Sequence, residues 1–221
     1  MENKEKYTMP AFYMDSDHSD VIDYTHQAIK GISNKKDQII QLFYTVRDGF
    51  RYNPYHVVLK PYALKASHLL TKDYGYCIEK SNLFAAAARV LGVPSRLGFA
   101  NVRNHLATSK LEEYLKNDLL VFHGYAEVYL EGKWVKATPV FDTELCKKMG
   151  VAPLDFDGEQ DSVFQESDKT GNPFMDYVDD HGVFHDVPLV EFENEMRKHY
   201  PHLFNHQIRT DKFHFEFEER S

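Results

Sequence analysis

The spacing of apolar positions changes along the chain, and the changes divide it into elements. From about Asp20 to Tyr52 the spacing is helical. Ile22, Ala28 and Ile29 form a broken stripe. Ser33 then reads as the N-cap of a second helix carrying Ile39, Ile40, Phe43 and Val46, with Asp37 in its first turn and Asn53-Pro54 closing the region. Ala66 to Leu70 is a short amphipathic piece, followed by a turn at Lys72-Asp73-Tyr74-Gly75. The next helix is the best defined: Leu83, Ala87, Val90 and Leu91 lie on one face, and Gly92 followed by Pro94 supplies the stop. Ala85 to Ala88 keep its middle slim, which predicts close packing against a sheet.

Ser95 to Val102 reads as a strand, and Asn104 to Leu120 as an irregular or partly helical connection anchored by Leu111, Tyr114 and Leu115. Phe122 to Leu130 alternates, with His123, Tyr125, Glu127 and Tyr129 on one side and Gly124, Ala126, Val128 and Leu130 on the other. Glu131-Gly132 predicts a two-residue hairpin turn, and Trp134 to Thr138 the returning strand, ended by Pro139. That turn sets Leu130 opposite Lys133, Val128 opposite Val135 and Ala126 opposite Ala137. Extended further, the register puts His123 opposite Val140 and makes Thr138 and Asp142 its diagonal neighbours. Beyond Asp142 come turns at Asp155 to Gly158 and Lys169 to Pro173, and a helix from Glu191 to His199. The tail from Asp211 alternates polar with aromatic, either as a late edge strand or as a tail that orders in part. The expected organisation is a core over residues 1–145 and a C-terminal extension, 146–221, packed on it.

Composition narrows the classes. The chain has 221 residues, 43% hydrophobic, with 14 Tyr and 16 Phe, enough for one substantial core. A formal net charge of -8 without a local Lys/Arg block argues against a nucleic-acid binder. No window approaches the ~18 continuous apolar residues of a membrane span, and the charged N-terminus lacks the apolar stretch of a signal peptide. Two cysteines, Cys77 and Cys146, are too few for a disulfide-built scaffold. The expected setting is a soluble, reducing, cytoplasmic one that keeps Cys77 free.

Cys77 opens a helix, where the positive end of the dipole favours a thiolate, and His123 opens a later strand. A thiol and an imidazole brought together are the minimum for acyl transfer. A third group would fix the ring. Asp142 has the better chemistry for that role and Thr138 the safer geometry, while Asp142-Thr143-Glu144 also reads as a helix start. The N–H of Cys77 is a natural oxyanion donor, with Tyr52, Asn53 and His68 as candidates for a second. His181, His185, His199, His202, His206 and His214 invite a metal reading. Gly182 and Pro201 interrupt helical order there and no partner completes a set, so neither metal nor cofactor is assigned. Cys146 lacks comparable context and reads as structural.

Together, Gly75-Tyr76-Cys77, Leu91-Gly92-Val93-Pro94-Ser95-Arg96, His123-Gly124-Tyr125-Ala126-Glu127-Val128 and Trp134 through Pro139 resemble the transglutaminase-like superfamily of cysteine-nucleophile enzymes. The resemblance covers roughly Tyr52 to Asp142. It implies an α+β, papain-like fold in which a helix bearing the cysteine packs on an antiparallel sheet carrying the histidine. It also implies acyl transfer or hydrolysis at the amide of a peptide or protein, through a thioester on Cys77 with His123 moving the proton. Thr138 stands where the family carries its aspartate, and Asp142 follows four residues later. The alternative is a transglutaminase-like binding module that keeps the groove without catalysis.

Overall fold

The computed structural model describes residues 4–104, 109–163, 167, 170–172, 174–205, 208–210 and 213–218. In chain order these form α1 (Ser19–Ala28), α2 (Lys35–Gly49), β1 (Arg51–Tyr52), β2 (His56–Leu59), α3 (Ala66–Leu69), β3 (Tyr74–Gly75), α4 (Cys77–Val90), β4 (Ser95–Asn104), α5 (Ser109–Leu115), β5 (Leu119–Leu130), β6 (Lys133–Ala137), α6 (Thr143–Met149), β7 (Met175–Phe184), α7 (Leu189–His199), β8 (Ile208–Arg209) and β9 (His214–Phe217). The fold is α+β, with α4 packed on an antiparallel sheet of order β6-β5-β4-β7. Two small sheets, β1-β3 and β2-β9-β8, flank it. Of the residues read from sequence, His206, Lys169, Pro173 and Asp211 lie outside the described ones.

Helix α4 is buried on every side except at its last residue, Val90. The slim run Ala85–Ala88 allows this. So does Gly124 of β5, where an added Cβ would stand 3.2 Å from the Cα of Ile78. Burying Glu79, Lys80, Ser81, Asn82 and Arg89 on this helix demands partners. Lys80 Nζ donates to the carbonyls of Arg47 (2.8 Å), Phe50 (2.6 Å) and Val140 (2.7 Å), tying the end of α2 to the segment after β6. Asn82 Nδ2 donates to Tyr13 O and Leu64 O, and Ser81 Oγ to Gly124 O. Arg89 reaches the carbonyls of Met9, Ser95 and His185.

The hairpin has the predicted register: Leu130 pairs with Lys133, Val128 with Val135 and Ala126 with Ala137. Glu131 (φ 48) and Gly132 (φ 92) are both left-handed, as a two-residue turn between twisted strands requires. Arg96 locks this region by donating to Glu127 at 2.7 Å while its guanidinium lies 4.0 Å from the centroid of the Trp134 ring. Three differences from the sequence reading follow from side-chain and long-range effects. The N-cap of α2 is Asn34, not Ser33, because its side chain accepts from Asp37 N at 3.1 Å. The C-terminal part supplies β7, an edge strand of the main sheet that is mostly exposed and therefore polar. The tail strand β9 is no edge: it lies between β2 and β8, parallel to β2.

Candidate active site

Tyr76 precedes α4 with extended backbone, and its N–H donates to Glu79 at 3.1 Å, which makes Cys77 the first helical residue. The start of the helix is held in place from outside. Tyr52 pairs with Gly75, Asn53 N donates to Gly75 O, and Tyr52 N donates to Asp142 Oδ2 at 2.8 Å. The sulfur of Cys77 faces the backbone N–H groups of Gly124, Ile78 and Cys77 itself, all of which favour a thiolate. Burial outweighs them and pushes the thiol up to about 11.

His123 follows a β-bulge. Ala100 pairs with His123 but Val102 pairs with Leu120, so Val121 and Phe122 together oppose Asn101. Phe122 adopts φ 58, a left-handed conformation unfavourable for a bulky residue. The buried side chain of Asn101 compensates: its Oδ1 accepts from Phe122 N at 2.9 Å and meets His181 Nε2 at 3.0 Å. Tyr200, just past α7, serves the other backbone groups that the bulge frees. Its hydroxyl donates to Leu119 O and accepts from Val121 N. Sequence reasoning missed both residues. Asn101, a polar residue inside an apolar strand, was the available signal.

Cys77 and His123 line one cavity, whose walls also include Tyr52, Val57, Leu111, Leu115, Phe122, Phe192, Met196 and Tyr200. No hydrogen bond joins Cys77 to His123, and His123 Nε2 is buried without a partner. Burial pushes the imidazole down to about 4. At neutral pH the two groups are therefore a neutral thiol and a neutral imidazole.

The third group stands differently from the extrapolated register. The β5–β6 ladder ends at Ala126 and Ala137, because Thr138 N turns to Ser162 O and Pro139 follows. Val140 consequently does not pair with His123, and the ring of Phe141 lies 6.3 Å from the imidazole. Asp142 caps α6: Oδ1 accepts from Leu145 N at 2.9 Å and Oδ2 from Tyr52 N, leaving His123 without a hydrogen bond from this carboxylate. Thr138 Oγ1 is buried and unpartnered. Of the other oxyanion candidates, Tyr52 lines the cavity, Asn53 Oδ1 accepts from Tyr55 N, and His68 packs against Tyr62 away from the lining. Both cysteines are free, and Cys146 is fully buried behind Phe141 O. Among the described residues, no three His, Cys, Asp or Glu side chains gather to hold one ion, and no helix is long and apolar enough to cross a membrane.

The sequence profile of the transglutaminase-like superfamily matches residues 22–139, just over half of the chain. The chain belongs to the transglutaminase-like superfamily. Among solved structures, this transglutaminase-like chain is similar to a candidate cysteine protease from Cytophaga hutchinsonii. They share 15% identity with a TM-score of 0.50, over 83% of this chain and 55% of that one. It is also similar to a candidate protease from Parabacteroides distasonis, at 11% identity and a TM-score of 0.40, over 61% of this chain and 26% of that one. The chain thus spans about half the length of the first structure, and the likeness concerns the fold. No curated protein matches.

Proposed function

We propose that the protein is a transglutaminase-like thiol enzyme that transfers or hydrolyses the acyl group of an amide through a thioester on Cys77. The observation carrying this reading is the seat of the sulfur: three backbone N–H groups face it, on the first turn of a helix, in a cavity shared with His123. The reaction starts from neutral partners. Cys77 Sγ attacks the carbonyl carbon as the His123 imidazole accepts the thiol proton. Collapse of the tetrahedral adduct breaks the C–N bond, and the imidazolium returns that proton to the departing amine. An imidazolium whose pKa is pushed down to about 4 by burial is a strong proton donor for that step. Water or a second amine then releases the acyl group. The supporting test is turnover of peptide anilides or thioesters by the full chain and by Cys77→Ala. Turnover that survives in Cys77→Ala removes the reading.

A second reading, a non-catalytic module that keeps the groove, draws on one specific observation. Asp142 is committed to two backbone amides, and the aligned position holds Thr138 with an unpartnered hydroxyl. It is favoured if the folded protein turns over neither substrate class.

A further inference from the structure

The wall beside Cys77 is chemically one-sided. Apart from Cys77, His123 and the tyrosines, every one of the described residues lining the cavity is apolar, with no side-chain charge or amide. Val57 comes from β2, Leu111 and Leu115 from α5, Leu120 to Phe122 from the bulged part of β5, and Phe192 and Met196 from α7. A second cavity shares Tyr52, Pro54, Leu111 and Leu120 with the first and continues to Tyr55, Phe141, Leu145 and Met149, with Asn104 as its one amide among the described residues. The two hold about 70 and 100 Å³. A single water needs roughly 10–15 Å³ of such space, so each accommodates a few waters or one branched aliphatic side chain. Among the described lining residues two polar atoms are buried without a partner: His123 Nε2 and the hydroxyl of Tyr76, a residue 4% exposed.

A buried hydroxyl left unpaired costs roughly 1–3 kcal/mol, and it marks where a polar group of a ligand would be received. Nothing comparable is offered along the rest of the wall. A charged side chain placed there would lose its hydration with no counter-ion to replace it.

We infer that the acyl group accepted by Cys77 carries a medium-sized apolar side chain, of leucine or methionine type, with its amide received by Tyr76 and His123 and its side chain against Val57, Leu115, Phe192 and Met196. Acidic and basic acyl donors are excluded by the same wall. The inference rests on the thiol reading above and specifies its substrate class. The specificity-determining residues are those of α7, because Phe192 and Met196 lie between the cavity and solvent-facing residues of the same helix. Tyr200 fixes that helix to β5.

The test uses the full chain and irreversible thiol probes. N-acetyl-leucine, N-acetyl-lysine and N-acetyl-aspartate chloromethyl ketones each form a bond from Cys77 Sγ to the methylene carbon as chloride leaves. Iodoacetamide serves as a probe without a side chain. Second-order rates are read by mass spectrometry at Cys77 and divided by the rates with free glutathione. The leucine compound is expected to exceed the other two by at least ~10-fold, the scale by which pockets discriminate substituents. Met196→Glu should erase that preference, and Met196→Leu, which conserves volume, should keep it. If iodoacetamide modifies Cys77 while the three ketones react alike, or not at all, the substrate class is wrong, and the thiol reading is decided separately by turnover in the full chain against Cys77→Ala. If no probe, iodoacetamide included, modifies Cys77 in the folded protein between pH 6 and 9, the thiol reading falls, and this inference with it.

Discussion

Replacing Asp142 separates two roles for one carboxylate. Its geometry makes it a tie: one oxygen caps α6 through Leu145 N, and the other holds Tyr52 N, whose strand pairs with Gly75 just before Cys77. Asp142→Ala removes an N-cap, worth about 1 kcal/mol. It also leaves the part-buried N–H of Tyr52 without its partner, at up to about 1–3 kcal/mol. The expected loss is therefore about 3 kcal/mol. For a domain of this size each kcal/mol moves the melting temperature by about 2–4 °C, so Tm should fall by ~10 °C. Asp142→Asn keeps one acceptor where two are needed, and should lose about half as much. Urea titration gives the stabilities. Iodoacetamide labelling of Cys77, well below the lowered Tm, gives the reactivity, which should change by less than ~10-fold if the carboxylate acts only on backbone. The reasoning is refuted if Asp142→Ala is as stable as the parent yet loses Cys77 reactivity 100-fold or more. That outcome would mean the carboxylate serves His123.

Four further expectations can be checked together. If turnover proceeds from the neutral pair, kcat/KM should be level across neutral pH, falling near pH 4 as His123 protonates and changing again only near pH 11; a limb at pH 6.5 contradicts that assignment. The same burial acts on stability. A folded pKa of about 4, below the unfolded imidazole value, means the unfolded chain binds the extra proton, so stability is lost as pH falls from about 6.5 to about 4, by roughly 3 kcal/mol. His123→Gln should flatten urea midpoints across that window. Lys80→Met should cost at least about 2 kcal/mol in urea titrations at pH 7, because the carbonyls of Arg47, Phe50 and Val140 lose a common donor. Gly124→Ala should cost about 1–3 kcal/mol by forcing Ile78 and the start of α4 away from β5, and should slow Cys77 labelling as well; unchanged stability would show that α4 can yield.

Much of the core was readable because its signals are local. The alanine-rich helix and the hairpin register depend on spacing within a few residues, and Glu131-Gly132 encodes its own turn. Arg96, Glu127 and Trp134 entered the sequence reading only as parts of the family motifs, and the structure joins them in one cluster. The strand β7 was not readable: an edge strand with one flank in solvent carries Asp176, Asp179, Asp180 and Gly182, and polar content there looks like a loop.

The sequence by itself determined that a cysteine begins a helix and that a histidine begins a later strand, since both follow from short-range periodicity and turn chemistry, while the packing of one on the other was implied only by the family resemblance. Tertiary structure alone decided what surrounds that pair. The ladder ends before Asp142 can reach the imidazole, Asn101 stabilises a left-handed Phe122, and α7 is fastened over the cavity by Tyr200. Those contacts join residues far apart in the chain, and their reason is bookkeeping of buried hydrogen bonds: each group freed by the bulge or the end of a strand takes the nearest partner in space, which no local pattern records.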